Sequence, residues 1–475
     1  MAQVRTRIEP APSGSIHVGN ARTALYSWLY ARQNDGTFVL RVADTDKSRV
    51  TETGLRSVEE DLRWIGCQWD EGPDVGGPHG PYRQSERYDR YDDVARTLAQ
   101  TGHAYPCYCT PKELDRRRKE AQAERRTPGY DGRCRHLSAE ERAAFESEGR
   151  VAALRFKVPE GVTVVFEDII RGRVATETSQ IPDFVIQRSD ASPTYPLAVT
   201  VDDHDMAITH IIRGDDLMAS TPRQLLIREA MGVMQRPAFA HLPLLVDEKG
   251  RPLSKRWGDV ALARYRDQGF LPEAMVNYLA LLGWSLDDRT TIFSAQDLLA
   301  SFSLDRVGRN PAAFDVAKLE WLNGHYIRGL DPAELADRLV PFCTSAGLPA
   351  DTPEGRVLLT RVAPLVSERM KHLDEAVPMI RFLFGPVEPD DRARTVLDGQ
   401  GAYLAAARRA LEDLERWDSP AIEAALRALA EDRGLKPKQA FQPLRAAVTG
   451  TLVSPPLFES LELLGRAETL RRLAV

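Results

Sequence analysis

The sequence predicts an α/β fold in its first half and an all-α fold in its second half. Apolar strand patterns at 4–8 and 37–44 each lead into a segment with helical spacing. The same alternation returns at 210–216 and 238–250, and it is typical of a parallel sheet with helices on its faces. Beyond about residue 270 the spacing is helical and rich in Ala, Leu, Arg and Glu, with a boundary expected at 386–394.

The helices of the first half follow from their apolar spacing and their end residues. The helix after Gly19 has one apolar stripe, formed by Ala21, Ala24, Leu25, Trp28 and Leu29. The stripe of the next predicted helix is formed by Leu55, Val58, Leu62 and Ile65. The helix after 210–216 is expected to have Thr221 as its N-cap, Pro222 in its first turn and Gly232 at its end.

Composition restricts the class of protein. The chain has 475 residues, enough for about two to four domains, with 43% hydrophobic and 28% charged residues. Its apolar runs fall short of the roughly 18 residues of a membrane span, and its first residues form a strand pattern rather than a signal peptide. Five cysteines do not make a disulfide framework in so long a chain, so we expect a cytoplasmic protein. The net charge of −6 does not favour nucleic acid by itself, although a local basic surface could still bind it.

The stretch SIHVGN at 15–20 stands where a Pro- and Gly-rich turn passes into a helix. Gly14 permits a tight turn, Gly19 lets a ligand approach the backbone, and His17 can donate to phosphate oxygens at the positive end of the helix. The spacing fits neither the dinucleotide-binding glycine pattern nor the P-loop. His17 could equally serve only to cap the turn, so this stretch alone leaves both interpretations open.

The stretch RPLSKRWGD at 251–259 follows a predicted strand of the second α/β segment. Its Lys255 offers a mobile ammonium that can meet the charge developing on a leaving phosphate. A solvated surface loop is the alternative. Because SIHVGN lies at the matching end of the same α/β chain, the phosphate-binding interpretation is favoured.

The two stretches resemble the paired signatures of class I aminoacyl-tRNA synthetases, of the His-Ile-Gly-His and Lys-Met-Ser-Lys-Ser types. Further stretches are similar, in the same order, to bacterial-type glutamyl-tRNA synthetases: DEGPDVGGPHGPYRQSERYDRY (70–91), YDGRCR (130–135), PTYPLAVTVDDH (193–204), HIIRGDDLMASTP (210–222) and GFLPEAMVNYLALLGWS (269–285). The likeness covers essentially the whole chain. It implies that His17 and Lys255 are the catalytic residues. It also implies that ATP is held by His17, Gly19, Asn20, Ser254, Lys255 and Arg256.

The resemblance also implies a class I nucleotide-binding parallel sheet with a zinc-bearing insertion, followed by helical domains. In chain order the expected parts are a catalytic domain split over 1–87 and 196–260, an acceptor-end-binding insertion at 88–195, a stem-contact domain at 261–330, and two anticodon-binding domains at 331–387 and 388–475. A glutaminyl enzyme would carry β-barrels in the anticodon region, and the helical second half argues against it. The short tRNA-modifying paralogue lacks that half altogether.

Three of the five cysteines lie close to a histidine, as Cys107-x-Cys109 and, after twenty-four residues, Cys134-x-His136. Three thiols and one imidazole in two close pairs can complete a tetrahedral zinc site, and their clustering disfavours incidental cysteines. In the family the same arrangement holds zinc, which implies one structural zinc ion per chain. The remaining two, Cys67 and Cys343, are expected to be buried small hydrophobes.

The resemblance places glutamate at Arg7, Tyr195 and Arg213, and two guanidinium groups suit a substrate with two carboxylates. The neighbouring residues depart from the family pattern: Glu9 replaces a small residue, Ala11 a serine, Ala43 a glutamate and Val199 an asparagine. The replaced glutamate and serine lie near the substrate α-ammonium in the family. We therefore expect Glu9 to have taken over the contact to that ammonium, the alternative being a solvated Glu9.

With the resemblance, these features predict ATP-dependent ligation of L-glutamate to tRNA-Glu through a glutamyl-adenylate, by a monomer without a membrane partner and with Mg²⁺ accompanying ATP. The resemblance implies that tRNA must be bound before activation is efficient. It also places Arg369 where discriminating members read the anticodon, a solvated helix arginine being the alternative. Two other functions stay open: a non-discriminating enzyme that also charges tRNA-Gln, and a catalytically silent tRNA-binding paralogue.

Overall fold

The computed structural model of the chain describes residues 3–45, 51–125, 129–253 and 260–474. Its strands are β1 Arg5–Ile8, β2 Thr37–Leu40, β3 Ala104–Cys107, β4 Ala153–Phe156, β5 Thr163–Asp168, β6 Gly172–Glu177, β7 Phe184–Gln187, β8 His210–Gly214, β9 Ala238–Leu242, β10 Leu245–Val246 and β11 Ala312–Ala313. Its helices are α1 Val18–Gln33, α2 Glu52–Trp64, α3 Tyr88–Gln100, α4 Pro111–Ala123, α5 Ala139–Ser147, α6 Tyr195–Asp205, α7 Thr221–Ala230, α8 Leu262–Gln268, α9 Pro272–Leu281, α10 Ala295–Ser301, α11 Val316–Gly329, α12 Pro332–Ser345, α13 Pro353–Ser367, α14 Ala376–Ile380, α15 Asp391–Leu397, α16 Gly401–Glu412, α17 Ser419–Asp432, α18 Pro437–Thr449, α19 Leu457–Leu464 and α20 Arg466–Arg472. Within these four ranges, no helix is long and apolar enough to cross a membrane.

The predicted alternation of strands and helices is present in the first half, and its central strands pair in parallel. β1 pairs with β2, and β8 pairs with β9. The Arg5 carbonyl of β1 accepts a 3.0 Å hydrogen bond from the Thr209 N–H just before β8, which connects the two pairs. All residues of β1 and β2 are buried, as expected for strands covered on both faces. The predicted class, α/β followed by all-α, is confirmed.

Residues 104–187 contribute further strands on the way from α3 to α6. β3, β4 and β7 form an antiparallel sheet, and β5 and β6 form an antiparallel hairpin. The hairpin is not isolated, because β5 also pairs in parallel with β9, through Asp168 and Phe239. The end of β5 therefore lies beside the ends of β8 and β9.

Helix ends show where local signals decide the structure and where they do not. α4 begins with the capping box of Thr110 and Glu113, in which each side chain bonds the backbone N–H of the other residue. At α7, the predicted Thr221 N-cap is wrong: Ser220 is the N-cap and Thr221 is the first helical residue. The Thr221 hydroxyl bonds other side chains in the protein interior, which removes it from capping. Gly232 follows the end of α7 with a φ of 78°, in the left-handed region that favours glycine.

The chain divides into two compact units, one of Met1–Arg264 with Val276–Asp315 and one of Tyr265–Met275 with Val316–Val475. The first unit contains the strands. The second unit is helical and has two hydrophobic clusters, one built around α12 and α13 and one built around α16 to α19. The finer five-part division stays a prediction.

Candidate active site

A cavity of about 270 Å³ lies at the carboxyl ends of β1 and β8. This is the edge at which open parallel sheets bind their ligands. The described residues that the sequence predicts for ATP and glutamate all line it: Arg7, Glu9, His17, Gly19, Asn20, Tyr195 and Arg213. Three further predicted residues lie outside the described residues: Ser254, Lys255 and Arg256.

His17 is the N-cap of α1 and also faces the cavity. Its Nδ1 accepts a 3.0 Å hydrogen bond from the Gly19 N–H. A neutral ring with Nδ1 as acceptor carries its proton on Nε2, so capping and donation to a ligand are compatible. A Cβ at Gly19 would lie 3.2 Å from the His17 Nδ1, which explains why glycine suits this position.

The loop before His17 is fixed by Asp61, a fully buried residue of α2. Asp61 Oδ2 accepts hydrogen bonds from the Ser15 hydroxyl at 2.7 Å and from the Ile16 N–H at 2.9 Å. The Ser15 oxygen in turn accepts a 3.0 Å hydrogen bond from the Ala263 N–H. The SIHVGN loop is thus attached both to α2 and to the start of α8.

The chain on either side of residues 254–259 reaches the same cavity. Before this segment, Pro252 and Leu253 line the cavity. After it, the Val260 carbonyl accepts a 2.9 Å hydrogen bond from the Val18 N–H at the start of α1. The described residues before the segment therefore line the cavity, and those after it are attached to the start of α1.

Glu9 lines the cavity, and its carboxylate is bound by side chains of the protein. Its Oε2 accepts a 2.7 Å hydrogen bond from Arg41 Nη2 and lies 4.0 Å from Arg7 Nη2. Its Oε1 accepts a 2.8 Å hydrogen bond from Gln84 Nε2. Because the Glu9 side chain is only 7% exposed, it is not a solvated surface carboxylate.

Arg41 is the centre of a buried group of charges beneath the cavity. Its side chain is 0% exposed, and its Nη2 also lies 2.8 Å from Asp203 Oδ1. Asp203 binds Arg7 as well, through a 3.1 Å hydrogen bond from Arg7 Nε. Burial alone would lower the pKa of Arg41, but the carboxylates of Glu9, Asp203 and Asp202 raise it well above its usual range. The Arg41 guanidinium therefore stays charged.

Arg213 of β8 is held by neutral partners. Its Nε donates to His241 Nε2 at 3.1 Å, and its Nη2 donates to Thr221 Oγ1 at 2.7 Å. Its Nη1 lies 3.4 Å from the Tyr195 hydroxyl oxygen. Burial lowers the pKa of Arg213 and raises that of Tyr195, which keeps the phenol protonated.

Sequence reasoning missed His241, Asp168 and Thr221. His241 Nδ1 lies 2.6 Å from Asp168 Oδ2, and both side chains are fully buried. One signal was present, since a histidine inside the apolar strand AFAHL must find a polar partner if it is buried. The identity of that partner depends on the pairing of β5 with β9, which no local pattern indicates.

The three cysteines predicted as metal ligands come together. The sulfur atoms of Cys107, Cys109 and Cys134 all lie within 4.8 Å of one another. Hydrogen bonds with Cys109 and Cys134 lower the pKa of Cys107, and hydrogen bonds with Cys107 and Cys134 raise the pKa of Cys109. Three thiol donors at this separation suit a soft divalent metal such as zinc.

His136, the fourth predicted ligand, does not join this group and is exposed. Residues Arg133–His136 form a 3-10 turn, in which side chains two positions apart point in different directions. Tyr130 lies nearer to the sulfurs. Its hydroxyl oxygen is 3.6 Å from the Cys107 sulfur and accepts a 2.8 Å hydrogen bond from the Cys134 N–H.

Arg369 lies in the second unit, just beyond α13, and is exposed. Its Nη1 donates a 2.5 Å hydrogen bond to the Ser454 carbonyl. Arg445 of α18 reaches the same loop and donates to the Pro455 carbonyl at 2.7 Å. Arg369, just after α13, and Arg445 of α18 therefore both bind the loop before α19.

The chain matches two family models. One, described as tRNA synthetases class I (E and Q), catalytic domain, matches residues 3–321, and one described as Anticodon binding domain matches residues 334–475. A curated glutamate--tRNA ligase of Nocardioides sp. is 46% identical over 484 residues, which cover 99% of this chain and 98% of that protein. Another, of Moorella thermoacetica, is 44% identical over 479 residues, which cover 100% of this chain and 98% of that protein.

Solved structures agree with these matches. A glutamate tRNA ligase from Elizabethkingia meningosepticum, in complex with its amino acid, is similar with a TM-score of 0.84 and 33% identity, covering 99% of this chain and 98% of that chain. Fold and family models together define a class I tRNA synthetase with an anticodon-binding domain. Within that class, the chain belongs to the glutamate--tRNA ligase family.

Proposed function

We propose that the chain is a glutamate--tRNA ligase that joins L-glutamate to tRNA-Glu with the use of ATP. The observation that carries this proposal is the cavity, in which Arg7 and Arg213 lie together with Glu9. Glutamate has two carboxylates and one ammonium, so two guanidinium groups and one carboxylate complement its charges. The start of α1, in the same cavity, offers the positive end of a helix to phosphate.

The reaction has two steps. A carboxylate oxygen of glutamate attacks the α-phosphorus of ATP, forms the glutamyl-adenylate and expels pyrophosphate. The terminal ribose hydroxyl of tRNA then attacks the glutamyl carbonyl carbon and releases AMP. ATP enters with Mg²⁺, and the protein contributes positioning and fixed charges rather than a covalent nucleophile.

His17 and Lys255 are the proposed catalytic residues of the first step. The His17 Nε2–H and the first N–H groups of α1 are suited to hydrogen-bond phosphate oxygens, with Gly19 and Asn20 beside them. Lys255, flanked by Ser254 and Arg256, belongs to a segment that follows residues lining this cavity and precedes residues attached to the start of α1. Its ammonium would stabilise the charge that forms on pyrophosphate.

Glu9 is proposed to bind the α-ammonium of glutamate in place of the family glutamate that is Ala43 here. The Ala43 N–H donates a 3.0 Å hydrogen bond to the Pro10 carbonyl, so position 43 lies beside the chain next to Glu9. Position 43 is therefore attached to the residue that directly follows Glu9. Arg41 and Gln84 each donate one hydrogen bond to the Glu9 carboxylate. A carboxylate can accept about four hydrogen bonds, so acceptor sites remain for an ammonium.

The cysteine cluster is proposed to hold one structural zinc ion. Cys107, Cys109 and Cys134 supply three thiolates, which is a common set for a structural site. We further propose that Tyr130, rather than His136, completes the site, since its oxygen already contacts Cys107. The metal would tie the end of β3 to the turn at 133–136.

Arg369 is proposed to favour tRNA-Glu over tRNA-Gln by contact with the anticodon. Its exposed guanidinium is anchored at the Ser454 carbonyl and can present its remaining N–H groups to a base edge. We place the reaction in the cytoplasm, where the five free thiols would stay reduced, and propose that the enzyme acts as a monomer.

Exchange of pyrophosphate into ATP tests the proposed function and the role of Lys255. The exchange should require glutamate and should increase strongly when tRNA-Glu is present. Lys255→Ala should remove roughly 2–4 kcal/mol of transition-state stabilisation and so lower the exchange rate strongly. The affinity for tRNA should stay nearly unchanged. Lys249→Ala, at an exposed lysine six residues earlier in the chain, is the matched control and should stay close to wild type. Exchange that is independent of glutamate would contradict the function, and a Lys255→Ala rate within about twofold of wild type would remove Lys255 from the mechanism.

Glu9→Ala should raise the glutamate KM about tenfold or more, because a charge-assisted contact in a poorly solvated site is worth about 1.5–3 kcal/mol. The ATP KM should change much less. The double change of Glu9→Ala with Ala43→Glu should recover part of the loss, which a damaged fold would not. Steady-state charging of tRNA-Glu measures both constants. An unchanged glutamate KM in Glu9→Ala would show that Glu9 does not bind the α-ammonium.

Elemental analysis should find about one zinc ion per chain in protein never exposed to chelators. Cys109→Ser should lose the metal, Tyr130→Phe should bind it more weakly, and His136→Ala should keep it. The His136 variant is the matched control, since it removes the exposed member of the predicted set. If His136→Ala loses zinc as fully as Cys109→Ser, the original ligand set is right and the Tyr130 proposal is wrong.

Arg369→Gln should lower the ratio of kcat/KM for tRNA-Glu over tRNA-Gln about tenfold, the value of one lost base contact. Arg361→Gln is the control, because Arg361 is an exposed arginine of α13 whose ion pair with Glu462 is 3.5 Å long. Charging of the two purified tRNAs with glutamate gives both ratios. Equal ratios in wild type and Arg369→Gln would make Arg369 an ordinary solvated arginine.

A further inference from the structure

Three residues from neighbouring strands form a row behind the cavity. Arg213 of β8 and His241 of β9 are register partners, and Asp168 ends β5, which pairs with β9. His241 bridges the other two, with Nε2 3.1 Å from Arg213 Nε and Nδ1 2.6 Å from Asp168 Oδ2. Both His241 and Asp168 are fully buried, so water does not compete for these hydrogen bonds.

The hydrogen bonds decide which nitrogen of His241 carries the proton. The Arg213 Nε–H can only donate, so the Nε2 that it meets must accept. In a neutral ring the proton is then on Nδ1, which donates to the Asp168 carboxylate. Burial lowers the pKa of His241 in spite of the nearby carboxylate, which keeps the ring neutral.

Asp168 is itself held in one orientation. Its Oδ1 accepts hydrogen bonds from the Ile170 N–H at 3.0 Å and from the Arg171 N–H at 2.8 Å. Burial alone would raise the pKa of Asp168, but the hydrogen bonds from His241 and Arg171 lower it, so the group is a carboxylate. The row therefore begins at a fixed negative charge.

We propose that Asp168 and His241 are positioning residues that orient the Arg213 guanidinium toward the substrate. This inference rests on the proposed function, in which Arg213 binds a carboxylate of glutamate. With Nε turned to His241 and Nη2 held by Thr221 at 2.7 Å, the plane of the guanidinium is fixed at the cavity that it lines. An arginine oriented before binding loses less conformational freedom when the ligand arrives.

Asp168→Asn tests the proposal, because it keeps the size of the side chain and puts a donor in place of an acceptor. The amide oxygen stays with the backbone N–H groups of Ile170 and Arg171, so the amide nitrogen replaces Oδ2, which in the wild type accepts from both the His241 ring and the His241 backbone N–H. His241 Nδ1 must then accept, its proton moves to Nε2, and the Arg213 Nε–H loses its acceptor. We expect the glutamate KM in tRNA charging to rise about tenfold or more, while the ATP KM changes by less than about twofold.

Two substitutions of His241 separate orientation from packing. His241→Gln can place an acceptor oxygen near Arg213, but an amide cannot move a proton between two nitrogens as an imidazole does. In the His241→Gln background, Asp168→Asn should therefore change the glutamate KM by less than about twofold. His241→Leu removes the acceptor and should raise the glutamate KM as much as Asp168→Asn. Long-range ¹⁵N spectra of the imidazole rings, assigned with the Gln variant, should show the His241 proton on Nδ1 in wild type and on Nε2 in Asp168→Asn.

Asp183→Asn is the matched control. Asp183 is a buried aspartate that lines a separate cavity and binds Tyr105 and Arg135. Its amide variant should keep the glutamate KM within about twofold of wild type. If Asp168→Asn does not fold, His241→Leu and its rescue by Gln decide the matter.

The outcomes distinguish this inference from the proposed function. Wild-type protein that charges tRNA with glutamate, together with an unchanged glutamate KM in Asp168→Asn or His241→Leu, refutes the positioning role and leaves the function intact. Wild-type protein that shows no glutamate-dependent charging contradicts the function itself. A raised glutamate KM without the change of tautomer refutes the orientation mechanism.

Discussion

The buried guanidinium of Arg41 is the charge around which the glutamate pocket is built. Its side chain is 0% exposed and lies within 2.8 Å of carboxylate oxygens of both Glu9 and Asp203, with Asp202 at 3.6 Å. Removing one partner from a buried ion pair typically costs about 3–5 kcal/mol, so the members of such a group depend on one another. Because Glu9 follows β1, Arg41 follows β2 and both aspartates lie in α6, one set of charges joins the three elements that form this wall of the site.

This constraint explains why the two arginines of the pocket are held differently. Arg7 shares the Asp203 carboxylate with Arg41, so part of its charge is already balanced inside the protein. Arg213 is surrounded by neutral partners, among them His241 and Thr221, and keeps more of its charge for a ligand. An anion entering the cavity therefore meets one arginine fixed by an ion pair and one fixed by hydrogen bonds. The two arrangements reach the same end, which is a guanidinium that need not reorient when glutamate binds.

Sequence signals predicted the strands and helices of the first half, and the seven described residues that they proposed for ATP and glutamate all line one cavity. This follows because the carboxyl ends of parallel strands meet at one edge of a sheet. Contiguous apolar patterns were enough for β1, α1 and α2. They could not predict the contact of His241 with Asp168, which lies 73 residues away along the chain and depends on the pairing of β5 with β9. The same limit applies at Thr221, where local preference predicted a cap but a contact with Arg213 uses the hydroxyl.

The cysteine cluster shows a related limit. Spacing alone predicted that Cys107, Cys109 and Cys134 would meet, and they do. Spacing could not decide the fourth ligand, because the direction of the His136 side chain is set by the 3-10 turn that contains it. A sequence pattern of Cys and His residues does not include Tyr130. Only the folded turn brings the Tyr130 oxygen beside the Cys107 sulfur.

A crystal structure of the protein with L-glutamate and a non-hydrolysable ATP analogue would show which side chains bind the substrate. We expect both glutamate carboxylates to lie within hydrogen-bond distance of guanidinium nitrogens of Arg7 and Arg213, and the α-ammonium to lie within hydrogen-bond distance of a Glu9 carboxylate oxygen. The phosphates of the analogue should lie at the start of α1 beside His17. An ammonium held away from Glu9, or glutamate bound outside the cavity that these residues line, would refute the proposed roles of these residues.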